Sequence, residues 1–393
     1  MYNKMIQVEE KKKCCGCFAC FNICPKQCIN MKKDIEGFLY PEVNLLKCIN
    51  CGLCSKVCPF IHESEEKKGT PLAAFAAKSL DEELRKNSSS GGIFSELASI
   101  VLNNDGVVYG CSMAENCKTA IHERITNIQY LSKLRGSKYF QSTIGNTYQM
   151  VKTDLEYGKI VLFSGVPCQI NGLRLFLGRD YDKLLTIEVI CHGVPSPKLW
   201  EKYVEYLESI NNDLVEEINF RNKKRGWKTF GLSYLSNGKY HFNTLHNDPF
   251  LLMFLRNYCL RPSCYSCNVK KNKSMADITL ADFWGVENCV KNFDDDLGCS
   301  LVLIHTKKAF SLFNSLNIEK NSVNYLDGIK YNSAYYESCH MPLQRNIFFN
   351  DLETLEFGDI IKKYGLKEKI NLRRRIKKII VAIIRKFQMA FKK

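Results

Sequence analysis

Eight cysteines between Cys14 and Cys58 constrain this chain more than any other feature. They repeat one pattern, Cys14-x2-Cys17-x2-Cys20-x3-Cys24-Pro25 and Cys48-x2-Cys51-x2-Cys54-x3-Cys58-Pro59. A run so spaced wraps three thiolates around one cubane iron–sulfur cluster and sends the fourth to its neighbour. The spacing therefore predicts one 4Fe–4S cluster on Cys14, Cys17, Cys20 and Cys58 and a second on Cys48, Cys51, Cys54 and Cys24. Zinc sites pair two C-x2-C elements and have no use for a third cysteine at the same step, while disulfides want an oxidising compartment. Cys15 and Cys28 fall off the pattern and read as spectators.

Around this core the fold class expected is an α+β ferredoxin-like domain over residues 1–62. A charged run without large apolar residues, 63–71, reads as a linker. A larger α/β domain with a mixed sheet follows over 72–360, and a basic amphipathic tail covers 361–393. The first residues carry no apolar stretch that could serve a secretory signal, so twenty cysteines point to a reducing cytoplasm where thiolates serve metals. The net charge of +15 belongs mostly to the tail: from Lys362 onward there are thirteen Lys and Arg against one acid, Glu368. The body is nearly neutral, so nucleic acid is not expected as a partner.

Within the large domain, strand and helix signals alternate. Apolar runs at 72–78, 106–111, 159–163, 184–190, 277–283 and 300–305 read as strands, those at 93–102, 147–157 and 249–258 as helices, and 215–242 as a set of short strands. This alternation argues for an α/β sheet. Ser88-Ser89-Ser90-Gly91-Gly92 precedes a helix, where free backbone N–H groups can hold an anion or merely cap.

Cys168 and Cys191 each stand just past a strand end, the place where open α/β sheets build sites. Cys259, Cys264 and Cys267 form a C-x4-C-x2-C run. The set expected to hold a third 4Fe–4S cluster is Cys168, Cys191, Cys264 and Cys267, with Cys259 in reserve. Asp282 and Trp284 close a further strand, where packing and function explain them equally well.

The stretches SSSGGIFSELA (88–98), LRGSKYFQS (134–142), VLFSGVPCQINGL (161–173), ICHGVPSP (190–197), LRPSCYSC (260–267) and ADITLADFWG (276–285) resemble the coenzyme F420 hydrogenase/dehydrogenase beta subunit family. The resemblance covers about residues 10–345. It implies an iron–sulfur flavoprotein with bound FAD, an oxidoreductase for which Ser89, Ser90, Gly91, Gly92 and Lys138 are the flavin or substrate contacts. Lys138 is the catalytic candidate, placed to steady negative charge on a reduced flavin. The chain departs from the hydrogenase and formate dehydrogenase subunits in carrying a complete two-cluster ferredoxin in front and a basic tail behind. In this it resembles bacterial members found beside polysaccharide-assembly genes, and whether F420 is the substrate is open.

Expected partners are a redox donor protein or partner subunit and a small-molecule or lipid-linked substrate. The tail adds the inner face of the cell membrane: Leu372, Ile376, Ile379, Ile380, Ile383, Ile384 and Phe387 recur at helical steps among basic residues. Such a helix lies on an anionic membrane surface through residues 366–393 and is too short in apolar run to span it. Two functions compete: a redox enzyme that uses FAD, and a relay subunit that only passes electrons between a donor and a partner.

Overall fold

The computed structural model describes residues 5–62 and 69–366. The hairpin of β1 (Ile29–Lys33) and β2 (Leu39–Val43) pairs antiparallel with Ile29 opposite Val43. Two short helices, Ala19–Ile23 and Leu53–Lys56, lie within the cysteine runs and carry Cys20 and Cys54, each entered through a left-handed residue, Phe18 and Gly52. This is the ferredoxin-like α+β module expected of the spacing.

Behind it come β3 (Ala73–Ser79), β4 (Val107–Met113), β5 (Ala120–Ile125), β6 (Val161–Gly165), β7 (Leu184–Val189), β8 (Glu217–Asn222), β9 (Gly231–Ser236), β10 (Lys239–Thr244), β11 (Ile278–Asp282), β12 (Ser300–Ile304) and β13 (Ile318–Ser322). Eight of these form one mixed sheet in the order β13-β3-β12-β11-β7-β6-β4-β5. The four strands β11, β7, β6 and β4 run parallel and the flanks are antiparallel. The chain is therefore a ferredoxin-like module in front of a larger α/β domain. A separate antiparallel sheet, β10-β9-β8, stands beside the large one.

Two helices that the sequence reading passed over shape the site. Pro167–Leu177 leaves the end of β6, with Pro167 in its first turn and Gly178 closing it at φ 67°. Its Arg174 is buried and donates to Asp277 Oδ2 at 2.7 Å and to Thr186 Oγ1 at 3.0 Å, tying the helix to the segments that start β7 and β11. Breaking a buried pair of this kind leaves an unpaired charge inside the protein and typically costs 3–5 kcal/mol. The helix Pro197–Asn211 is capped by Ser196 and buries Leu199, Trp200, Tyr203, Val204 and Leu207 at three- and four-residue steps.

The ferredoxin-like module is packed onto the body rather than tethered to it. Cys15, Cys17, Phe18 and Val57 share one apolar core with Tyr148, Ile170 and Leu173. Gly172 permits this approach, for a Cβ there would stand 3.0 Å from Cys17 Sγ. Arg345 reaches both carboxylate oxygens of Glu36, at 2.8 and 2.6 Å, and Asn22 donates to Gly145 O at 2.8 Å. Residues 63–68 of the expected linker lie outside the described residues, as does the expected amphipathic helix apart from Leu366. The segment Ile361–Gly365 is folded, its Tyr364 buried against Tyr258 and Phe348. Among the described residues no helix is long and apolar enough to cross a membrane.

Candidate functional site

The structure brings Cys24, Cys48, Cys51 and Cys54 to one small cavity, with Cys28 also on its wall. Backbone N–H groups point at the sulfurs: Ile6 N donates to Cys54 Sγ at 3.2 Å and Asn50 N to Cys48 Sγ at 3.4 Å. Such N–H···S bonds are the environment that thiolate-held clusters use, and they tune potential. Cys28 is no bystander in this geometry, since its sulfur lies 3.3 Å from Cys24 Sγ. For the other set, burial raises the Cys20 thiol, and the nearby Cys14, Cys58 and Cys54 raise it further. Among the described residues no group of three or more metal-ligating side chains closes tightly enough to grip a single metal ion. A cubane is larger than one ion and is held by thiolates standing further apart.

A second thiol-lined cavity of about 50 Å³ lies between the module and the large sheet. Cys168 enters it from the first turn of Pro167–Leu177, Cys191 from just past β7, and Cys264 and Cys267 from the turn Pro262–Ser266 and its end. All four expected ligands meet here. Val194 N donates to Cys264 Sγ at 3.4 Å, and burial pushes the Cys191 thiol up to about 11. Cys259 does not join them: it is fully buried in an apolar core with Trp200 and Phe254, which removes the reserve ligand from the cavity wall.

Cys15, read from spacing as a spectator, lines this cavity instead. Its thiol shares hydrogen bonds with Cys168 and Cys17, so it joins the third thiol set to the module. Cys339, unmarked by any motif, donates its S–H to His192 O at 2.8 Å and raises the Cys191 thiol from nearby.

A cavity of about 550 Å³ opens over the carboxyl ends of β6, β7 and β11. It shares Cys15, Cys168, Cys191 and His192 with the thiol cavity. Ser89, Ser90, Gly92 and Lys138 lie on its wall. Gly91 does not. Its N–H bonds Ser300 Oγ at 3.0 Å, and a Cβ would run into Ala77 O, so this glycine serves close packing on the sheet. The Ser90 hydroxyl donates to Cys299 O, and Ser89 Oγ pairs with Ser137 Oγ. Lys138 donates to the carbonyls of Lys133, Arg135 and Gly136 at 2.9–3.2 Å. All three of its protons are thus held by its own loop, and it offers the cavity a fixed charge rather than a mobile proton.

Residues outside the expected set face the same space. Arg221, buried, donates to Asp282 Oδ1 at 2.9 Å and to Ser89 O at 3.0 Å, while its Nε has no partner among the described residues. His122 is 7% exposed and stacks on Phe163 with centroids 5.5 Å apart. Its Nε2 bonds Ser164 O at 3.2 Å, which makes Nδ1 an acceptor, and that buried Nδ1 has no partner among the described residues. A single buried histidine carries little signal in sequence, and β5, which bears it, was not foreseen.

Burial, only partly opposed by the Ser164 carbonyl, lowers the His122 imidazole to about 4. Above pH ~6.5 the imidazole is neutral in folded and unfolded chains alike. As pH falls below that, the unfolded chain takes up the proton first, so stability is lost progressively down to about pH 4, by on the order of 3 kcal/mol. Urea unfolding at pH 7 and pH 5 should show this loss in the protein and a smaller one in His122→Phe.

Residues 158–324 match the model described as coenzyme F420 hydrogenase/dehydrogenase, C terminus of the beta subunit. This region belongs to that family. Residues 13–61 and 44–120 match two models, each described as a 4Fe–4S dicluster domain, so the beta-subunit region stands behind an iron–sulfur module.

The chain is 22% identical over 293 residues to the F subunit of F420H2 dehydrogenase from Methanosarcina mazei, a match covering 72% of this chain and 80% of that one. It is 23% identical over 378 residues to the coenzyme F420-dependent sulfite reductase of Methanocaldococcus jannaschii, covering 92% of this chain and 55% of the relative. Among solved structures, a chain of the F420-reducing NiFe hydrogenase complex of Methanosarcina barkeri aligns with TM-score 0.43 and 16% identity, over 78% of this chain and 99% of that one. The protein is thus an iron–sulfur electron-transfer protein of oxidoreductase type.

Proposed function

We propose that this chain is the flavin-bearing electron-transfer subunit of a redox complex, exchanging electrons between its iron–sulfur module and an organic substrate. The observation that carries this is the shared wall: Cys15, Cys168 and Cys191 border both the thiol cavity and the 550 Å³ cavity. Cys168, Cys191, Cys264 and Cys267 would hold a third 4Fe–4S cluster. For a dinucleotide flavin the donor set fits as well. The helix Ile93–Asn103 presents free N–H groups at its start, and Ile93 and Phe94 line the cavity beside Arg135, a setting suited to phosphate. Ser89, Ser90, Gly92 and Lys138 border the same space, and the unpartnered atoms of His122 and Arg221 call for a polar ligand. Bound there, the clusters would carry electrons singly and the flavin would gather two.

The chain's own residues set the conditions. His122 Nδ1 can accept a hydrogen bond and Arg221 Nε can donate one, while the Lys138 charge stays fixed in its loop. Val189, Leu255 and Tyr331, on the wall yet 42–48% exposed, mark an apolar mouth that admits a small-molecule or lipid-linked substrate.

The test is anaerobic isolation with iron, sulfide and flavin analysis. About twelve iron atoms and one flavin per chain are expected. About eight iron atoms with no flavin would overturn the flavin-bearing role and leave a relay.

A further inference from the structure

The cysteine sets differ in what surrounds them. Cys15 and Cys17 pack against the body and Cys14 meets Arg261 of the body, whereas Cys51 is exposed. Around Cys51 four large apolar side chains stand in water: Leu45 at 68%, Leu46 at 99%, Ile49 at 57% and Leu53 at 36% exposure. Four exposed aliphatics in nine residues are costly to keep unless something covers them. Ile49 and Leu53 border the cavity holding Cys24, Cys48, Cys51 and Cys54, so the apolar face and the thiol set are one surface.

The surface has a sign as well. Exposed Lys26, Lys47 and Lys56 belong to the same segments, and no Asp or Glu occurs from Val43 to His62 or from Cys24 to Lys33. The acids that bound these stretches are Asp34, Glu42 and Glu63; Glu42 pairs with Lys32 at 3.2 Å and Asp34 with Lys11 at 2.6 Å. An apolar centre with a charged rim of one sign is the anatomy of an interface that selects a partner of opposite charge.

We propose that the exposed apolar face around Cys51 is the docking site of an acidic one-electron carrier protein. A second copy of this chain would bring the same basic rim against itself, and the chain's own tail, with thirteen Lys and Arg from Lys362 onward, carries the same sign. Both occupants are disfavoured by like-charge repulsion. The inference rests on the iron–sulfur part of the function proposed above and needs nothing from the flavin.

The experiment uses the cluster-loaded full chain, mixed anaerobically with a reduced acidic 2Fe–2S ferredoxin and frozen at set times. Reduction of this protein's clusters is followed by electron paramagnetic resonance, which separates 4Fe–4S from 2Fe–2S signals where absorbance would not, since the donor regains colour as the acceptor loses it; the readout needs no flavin. The second-order rate constant should fall as salt rises, and Leu46→Glu and Lys47→Glu should each lower it about tenfold. Iron content and reduction by dithionite should stay unchanged, as should the ferredoxin rate of Leu214→Glu, a control on the exposed surface of the body. Rates indifferent to salt and to both variants would overturn the proposal, as would an equal drop in the control. A dimer that Leu46→Glu dissociates, or a face freed by removing residues 367–393, would hand the surface to those occupants and also overturn it. A chain that binds no flavin yet shows the salt and variant effects would sink only the flavin-bearing role.

Discussion

Cys264→Ser is expected to remove about four iron atoms, taking the protein from about twelve to about eight, while both ferredoxin-type clusters stay. Cys264 sits on the turn Pro262–Ser266, its sulfur accepting from Val194 N, in a cavity whose other walls bear Cys168, Cys191 and Cys267. None of these four borders the cavity of Cys24, Cys48, Cys51 and Cys54, so the loss should be local. A hydroxyl is a far poorer ligand for soft iron–sulfur centres than a thiolate. Cys259→Ser is the contrasting variant. It places a hydroxyl among buried aromatic rings, costing about 1–3 kcal/mol of stability, and should keep all the iron. Iron analysis and urea unfolding of the two variants read these opposite patterns.

Arg261→Met should have the second large effect, on both docking and potential. Arg261 is 1% exposed and donates to Cys14 O at 2.7 Å, Leu39 O at 2.9 Å and Gln141 Oε1 at 2.8 Å, with Cys14 Sγ 3.6 Å from its Nη2. It also lies over the Tyr40 ring, 4.2 Å from the centroid. Among the described residues it forms no ion pair with a carboxylate, so the sulfurs are its counter-charge.

Removing it leaves several buried acceptors bare, at a cost of about 3–5 kcal/mol in stability. It also removes a positive charge and an N–H···S bond from the cluster set that includes Cys14. That cluster's midpoint potential should move to more negative values, the set that includes Cys264, which the same charge reaches, should move by less, and the set of Cys24, Cys48, Cys51 and Cys54 should hold, measured by a redox titration monitored by electron paramagnetic resonance. Arg261→Lys keeps the charge but loses the planar fork, so its potential should lie between the two.

What could be read from sequence follows the range over which a signal acts. The cysteine spacing is local and so named the thiol sets, and strand periodicity put Cys168 and Cys191 at strand ends. Cys168, Cys191, Cys264 and Cys267, grouped from strand ends and spacing, line one cavity. Cys259 shows the limit, since the same C-x4-C-x2-C run holds one cysteine that is buried against residues such as Trp200, far from it in sequence.

Cys15 and Arg261 were invisible for a related reason. A residue between two ligands has no spacing of its own, and Arg261 meets Cys14 across 247 residues. Lys138 carried a motif, but only the conformation of its loop shows that three carbonyls hold its amine. The charged run after Cys58 looked like a tether, while the packing of the module depends on dispersed residues such as Gly172, Asn22 and the Glu36–Arg345 pair.

The most direct test of a single route from the module to the large cavity is flavin reduction in flavin-loaded protein, driven by reduced ferredoxin and followed by absorbance. Wild-type protein should bleach its flavin promptly. Cys264→Ser, retaining about eight iron atoms and its flavin, should bleach its clusters but leave the flavin oxidised on that time scale. Flavin bleaching in Cys264→Ser as fast as in the wild type would contradict a path through Cys168, Cys191, Cys264 and Cys267.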